Sequence, residues 1–313
     1  MQRRVATVMT VATLAGAIAV WSGGAAAHGK NICDLSSEWM LRSCQTQARA
    51  EAHLALAKCL NLTTAAATHA CRQQAAADTR DALTTCADAD EARDTVCSRL
   101  GPAAYDPVIN PASFVTTVDN PYFPLTPGTT LVYEGPTSEG FNHSEFAITH
   151  NTKVILGVTC IEVHDTVQLD GVLAEDTVDW FAQDVAGNVW YFGENTGELA
   201  GGRFVTLDGT FTGGVNGAKP GIVMEAHPAI GDFYRQEFDL GNAEDLADVI
   251  SLTEIVTVPV QPAAFTNCLK TAETTPLEPD LLEYKYYALG VGNVLTVDAH
   301  TGERLELVQI TSN

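Results

Sequence analysis

The chain has 313 residues and carries 39 acidic against 17 basic side chains, a formal net charge of −22. A surface with that surplus repels phosphate backbones and anionic headgroups, which argues against nucleic acid or a membrane surface as partner. The imbalance is local: from Ser36 to Arg99 seven Lys/Arg face eight Asp/Glu, whereas from Gly101 to Asn313 seven face thirty.

In chain order, Met1-Gln-Arg-Arg4, an apolar run from Val5 to about Val20 and small residues ending Ala25-Ala-Ala27 have the layout of a secretory signal peptide over 1–27. No later segment is apolar and long enough to span a bilayer, so no membrane insertion is expected after cleavage. Export agrees with eight cysteines, an even number, since thiols pair in an oxidising compartment.

Residues 28–101 form the first folded unit. The cysteines at 33, 44, 59, 71, 86 and 97 are separated by steps of 11, 15, 12, 15 and 11, which read alike in both directions. Ser36–Leu60 and Ala65–Leu100 are rich in strong helix formers and lack internal Pro and Gly. At about 100° per residue, a step of 11 returns to within roughly 20° of the same face and a step of 15 to within roughly 60°. Each arm therefore lines its cysteines on one stripe. Six cysteines allow fifteen pairings, and the mirror spacing selects Cys33–Cys97, Cys44–Cys86 and Cys59–Cys71 in an antiparallel helical hairpin. A thiolate metal site is the weaker reading, because close C-x-x-C spacing is absent.

A Pro-rich extended linker follows over 102–128. From 129 to 313, runs rich in Val, Ile, Thr, Phe and Tyr alternate with Gly, Asn and Asp turns. Strands are expected near 129–134, 144–149, 153–168, 171–183, 188–193, 203–212, 232–238, 250–258, 264–274, 281–288, 292–298 and 304–310, with one short helical stretch near Ala243–Val249. The fold class is thus α+β: a stapled helical hairpin, then an acidic antiparallel meander forming a half-barrel, barrel or sandwich. Cys160 and Cys268 both fall on the more polar face of their strands, and a cross-strand bridge between them is expected.

Around Asp176–Gln183 and Asn188–Gly193 the strands are apolar on both faces, so both faces should be covered. One could meet a ligand cavity, lined by some of Trp180, Trp190, Phe192, Tyr234 and Tyr286. Asn120-Pro-Tyr-Phe-Pro-Leu-Thr-Pro-Gly128, Val132-Tyr-Glu134, Gly187-Asn-Val-Trp-Tyr-Phe-Gly193 and Lys285-Tyr-Tyr-Ala-Leu-Gly-Val-Gly-Asn-Val294 look like a group of uncharacterised secreted bacterial proteins. The last of these is also similar to a Y-A-P-G-V-G-x-V strand-turn of LolA/LppX-type lipoprotein carriers, with Leu289 in place of the Pro. That resemblance implies a half-barrel able to hold acyl chains and transfers no catalytic residue.

Familiar nucleophile, zinc-protease and phosphate-loop motifs are absent. His143, His150 and His164 occupy neighbouring expected strands and could converge on a metal. His28, N-terminal after cleavage, could chelate copper. Acidic loops at Asp184–Asn188, Glu194–Glu198 and Asn242–Asp248 could take Ca²⁺. None of these is strong enough to name a metal or cofactor. The sequence points to a non-catalytic secreted module that binds an apolar small molecule, or to a surface or matrix component. An extracellular hydrolase or copper enzyme, or a calcium-binding surface protein, is the alternative.

Overall fold

The computed structural model describes residues 31–312; the expected signal segment and His28 lie outside them. Two helices open the described residues, α1 (Ile32–Cys59) and α2 (Ala65–Leu100). The Asn31 side chain accepts from the Asp34 N–H, Thr64 accepts from Ala67, and Gly101 ends α2 at φ +92°.

The three mirror pairs are bridged as the spacing requires, Cys33–Cys97, Cys44–Cys86 and Cys59–Cys71, with Cα separations of 5.6, 5.7 and 5.6 Å. Little else holds the arms together. The buried side chains are mostly small, among them Ser37, Ala48, Ala75 and Ala89, and Ser37 donates to Asp90 at 2.8 Å. Each bridge contributes about 2–4 kcal/mol, less when nested. Full reduction is therefore expected to melt the arm while the β domain stays folded. Circular dichroism should lose its helical signal and keep its strand signal; a helix that survives complete reduction would show that packing holds it.

Fifteen strands follow, all in one sheet. They are β1 (Thr129–Thr137), β2 (Gly140–Ile155), β3 (Val158–Leu169), β4 (Val172–Gln183), β5 (Val189–Ala200), β6 (Arg203–Thr206), β7 (Phe211–Thr212), β8 (Lys219–Met224), β9 (Phe233–Arg235), β10 (Glu237–Phe238), β11 (Leu246–Val256), β12 (Phe265–Thr275), β13 (Glu278–Ala288), β14 (Gly292–Asp298) and β15 (Arg304–Ser312). The order is β10-β8-β5-β4-β3-β2-β1-β15-β14-β13-β12-β11-β9, with every pairing antiparallel and β6 and β7 branching from β5. First and last strands pair, Leu131 opposite Ile310. The two ends of the order are β9 and β10, separated in sequence by Gln236 alone. One stretch of chain thus pairs with β11 through its first half and β8 through its second, so the sheet is a nearly closed barrel. Gly221 makes this seam possible, since a Cβ there would lie 2.3 Å from the backbone of Gln236.

Three local readings change. The expected strand 153–168 is two strands, broken by a tight turn at Leu156-Gly157, where φ is +50° and +82°. The expected helix near Ala243–Val249 is the start of β11: its helix-forming composition is overridden by pairing to β9 and β12 on either side. Strand β8 was hidden because Pro220-Gly221 reads as a turn.

The segment 102–128 is extended but packed. Phe114 meets Trp190 and Phe192 edge-on at 6.3 and 5.4 Å. Asn120, buried, donates to the carbonyls of Gly187 and Glu225 at 2.9 and 3.0 Å, and Gln183 Oε1 accepts the backbone N–H groups of Asp119 and Asn120. Val118 and Leu125 join the core inside the barrel.

The hairpin docks on the barrel at its base. Arg93 of α2 makes a two-pronged ion pair with Glu244, Nε to Oε2 at 3.2 Å and Nη2 to Oε1 at 2.7 Å. Arg99 pairs with Asp248 and lies over the Phe233 ring at 3.8 Å.

Candidate binding cavity in the barrel lumen

Side chains alternate in and out along each strand, and the inward set changes character from one end of the barrel to the other. On β3 it runs Ile161, Val163, Asp165; on β4, from the same end, Phe181, Asp179, Thr177, Glu175; on β12, Leu269, Thr271, Glu273. Ile148, Val163, Val249 and Leu269 fill the first end as an apolar core. Beyond it lies a cavity of about 500 Å³. Solvent reaches it, for Asp245 on its wall is exposed.

One wall is aromatic. Phe181 and Tyr191 stack at 4.7 Å, and Phe123 and Phe146 flank Phe181 at 5.4 and 6.4 Å. Phe123, from the Asn120-Pro-Tyr-Phe-Pro-Leu125 segment, reaches the lumen from the plugged end.

The rest of the wall is acidic. Asp165, Glu175, Asp179, Glu194, Glu237, Asp245, Glu273 and Glu283 all line the cavity, and Lys285 is its lone basic side chain among the described residues. Lys285 is already engaged, at 2.7 Å from Glu273 and 3.9 Å from Glu283. These neighbours outweigh burial and hold its ammonium well above the ordinary lysine range. Glu273 is further satisfied by Tyr287 Oη at 3.0 Å and Thr271 Oγ1 at 2.9 Å.

The remaining carboxyls have hydroxyl or backbone donors but no cation paired with them among the described residues. Burial pushes Asp179 up to about 7, although the Tyr191 hydroxyl donates to it. Glu194 Oε2 lies 3.0 Å from the same hydroxyl, whose single proton serves one of the two carboxyls at a time, and Glu194 is raised to about 8, by burial and then by Asp179. Asp245 is raised to about 6: desolvation on the lumen side and the nearby Glu273 outweigh the pull of Lys285, although the residue reaches solvent. Asp165 and Glu237 are displaced upward by burial and then by their acidic neighbours. Several carboxyl groups in one poorly solvated space cannot all ionise without a compensating charge.

The five aromatic residues expected to line a pocket are not on this wall. Inward Asp179 and Phe181 put Trp180 on the outer face, where it packs with Cys160 and Phe192 under the extended segment, Phe114 and Trp190 alongside. Tyr286 is also outward, with the Lys270 ammonium 5.1 Å from its ring. Tyr234 points inward but belongs to the apolar core rather than the cavity. The sheet is apolar on both faces here because the outer face has a cover, not because it has a ligand.

The expected Cys160–Cys268 bridge is absent: both are buried free thiols. They sit on β3 and β12, with β2, β1, β15, β14 and β13 between them, and they pack in different clusters. Burial pushes the Cys160 thiol up to about 12, which leaves it inert. Among the described residues no group of three or more His, Cys, Asp or Glu could hold a metal ion. His143 is bonded to Glu134 at 2.9 Å and His164 to Asp176 at 2.7 Å. The Asp184 carboxylate is taken up by its own turn, accepting from Trp190 Nε1, Asn188 and Ala186. Comparison with family models, curated proteins and solved structures finds no match to this chain.

Proposed function

We propose that this is an exported, non-catalytic binding protein whose β-barrel takes a small molecule into its lumen. The observation that carries the reading is the cavity of about 500 Å³ inside the barrel, a volume within the range of small-molecule sites. The aromatic wall offers apolar area worth roughly 25 cal/mol per Å² removed from water, and the polar wall offers orientation. Three disulfides and the leader-like start of the chain support export. The likeness to half-barrel carriers supports a carrier role, with the barrel here more nearly closed. A surface or matrix role would leave the lumen without purpose.

Native mass spectrometry of the protein purified from its own host is the test. A bound organic molecule of constant mass, released on unfolding, is the expected result. An empty lumen, together with no rise in melting temperature across a broad metabolite panel, would sink the reading.

A second reading has one observation in its favour. Asp179 and Glu194 are joined through the Tyr191 hydroxyl with both carboxyls raised, which is how a general acid and base are tuned. Hydrolytic turnover abolished by Glu194→Gln would replace carriage with catalysis.

A further inference from the structure

We infer that the lumen is built for an organic ammonium ion, its cationic head among the unpaired carboxyls and its apolar body against the Phe123–Phe146–Phe181 wall. This rests on the reading of the barrel as a small-molecule binder and names the class of molecule.

Charge balance supplies the first argument. Asp165, Glu175, Asp179, Glu194, Glu237 and Asp245 all line the cavity, and none of them makes an ion pair among the described residues. The one lumenal cation among the described residues, Lys285, is held by Glu273 and Glu283. A chain that merely needed solubility would place its acids outside, where they are hydrated at no cost. Carboxyls turned into a barrel destabilise it unless a ligand compensates them.

The second argument is independent of the total charge. Glu237 is 8% exposed and Asp179 is 5% exposed, so both are buried polar side chains of the kind that normally find full partners. The backbone N–H of Asp245 approaches the Glu237 carboxylate, and the Tyr191 hydroxyl bonds one oxygen of Asp179, so each carboxyl has a single donor among the described residues. Both side chains line the cavity. Both can accept further donors from a molecule in the cavity.

The shape of the site selects the type of cation. The acids are spread along the wall, and no group of three could hold a metal ion among the described residues. A space of about 500 Å³ is far larger than a metal ion needs. Phe181 and Tyr191, stacked at 4.7 Å, line this space, and aromatic rings are groups that attract alkylammonium ions. An ammonium with a hydrocarbon arm satisfies both walls, whereas a fatty acid would bring a further negative charge among groups that already repel one another.

The test is a matched trio of probes with one apolar body and three heads: octylamine, octanol and octanoate, titrated calorimetrically into the full mature chain at neutral pH. Octylamine is expected to bind at least about tenfold tighter than either of the others. Its binding should release protons, detected as a dependence of the heat on buffer ionisation enthalpy, because the cation favours the ionised carboxyls. The preference should vanish in Asp179→Asn/Glu237→Gln and persist in Asp176→Asn, an outward-facing control. If the double variant does not fold, Asp245→Asn on the exposed wall is used and should weaken octylamine alone. Octanol or octanoate binding as tightly as octylamine would overturn the inference and leave the binding-barrel reading standing. Failure of all three, with an empty lumen in the native mass spectrum, would overturn both.

Discussion

Replacing Arg93 with methionine is expected to cost about 3–5 kcal/mol, because it leaves a buried carboxylate without its counter-ion. Glu244 is 1% exposed and takes both prongs of the Arg93 guanidinium, together with the Gly241 N–H at 2.8 Å. Arg235 lies near enough to interact with Glu244 electrostatically, but Arg93 is the cation that ion-pairs with it among the described residues. The remaining ties between arm and barrel, Arg99 with Asp248 and Met40 against Gly241, are too exposed to replace it. The bridged hairpin should stay helical but swing free, so limited proteolysis should cut near Gly101. The second half of the test is Arg93→Met/Glu244→Gln, in which no charge is stranded and the amide still accepts the Gly241 N–H. That double variant should recover most of the loss in a urea titration. If the double variant is as unstable as the single, packing rather than the buried charge dominates the junction.

How far the sequence foretold this molecule depends on whether a signal was local. The hairpin was legible because bridge spacing and helical period are properties of one contiguous stretch, and Cys33 to Cys97 carries both. The meander was legible from its alternation, although Leu156-Gly157 and Pro220-Gly221 misled about where strands begin and end. The lumen was not legible, because what decides it is which parity of each strand faces inward. In Val178-Asp-Trp-Phe181 the tryptophan is the expected cavity residue, whereas the inward ones are Asp179 and Phe181. Composition could not resolve this, since the outer face at Trp180 is covered by a segment more than sixty residues earlier in the chain. The Cys160–Cys268 pairing failed for a related reason: face was read correctly, but strand neighbourhood is set by the whole circuit of the barrel. One signal was present and unused. Inward parity carried through β3, β4 and β12 places Asp165, Asp179 and Glu273 in one lumen.

Those lumenal acids predict an inverted pH response. Ligand-free protein is expected to be more stable at pH 5 than at pH 8. Folded-state values of about 6 for Asp245, 7 for Asp179 and 8 for Glu194 lie above those of an unfolded chain, near 4. Between these limits the folded barrel holds protons that the unfolded chain has released. Stability is therefore greatest below the unfolded values and falls as pH rises through 6 to 8. At about 1.4 kcal/mol per pH unit of displacement, Asp179 alone, 5% exposed, contributes on the order of a few kcal/mol. His143 acts in the same direction, since Glu134 raises it. Asp184 and Asp298 are held low by hydrogen bonds, so their contribution is lost only as pH falls through the acid range below this window. Lys285 stays charged throughout it. Asp179→Asn should raise the melting temperature at pH 8 and flatten the profile, with little change at pH 5. The measurement is thermal melting across pH 5 to 8 in both proteins. A wild-type profile that is level or rises toward pH 8 would mean that the lumenal carboxyls are compensated within the chain, with no vacancy left for a cation.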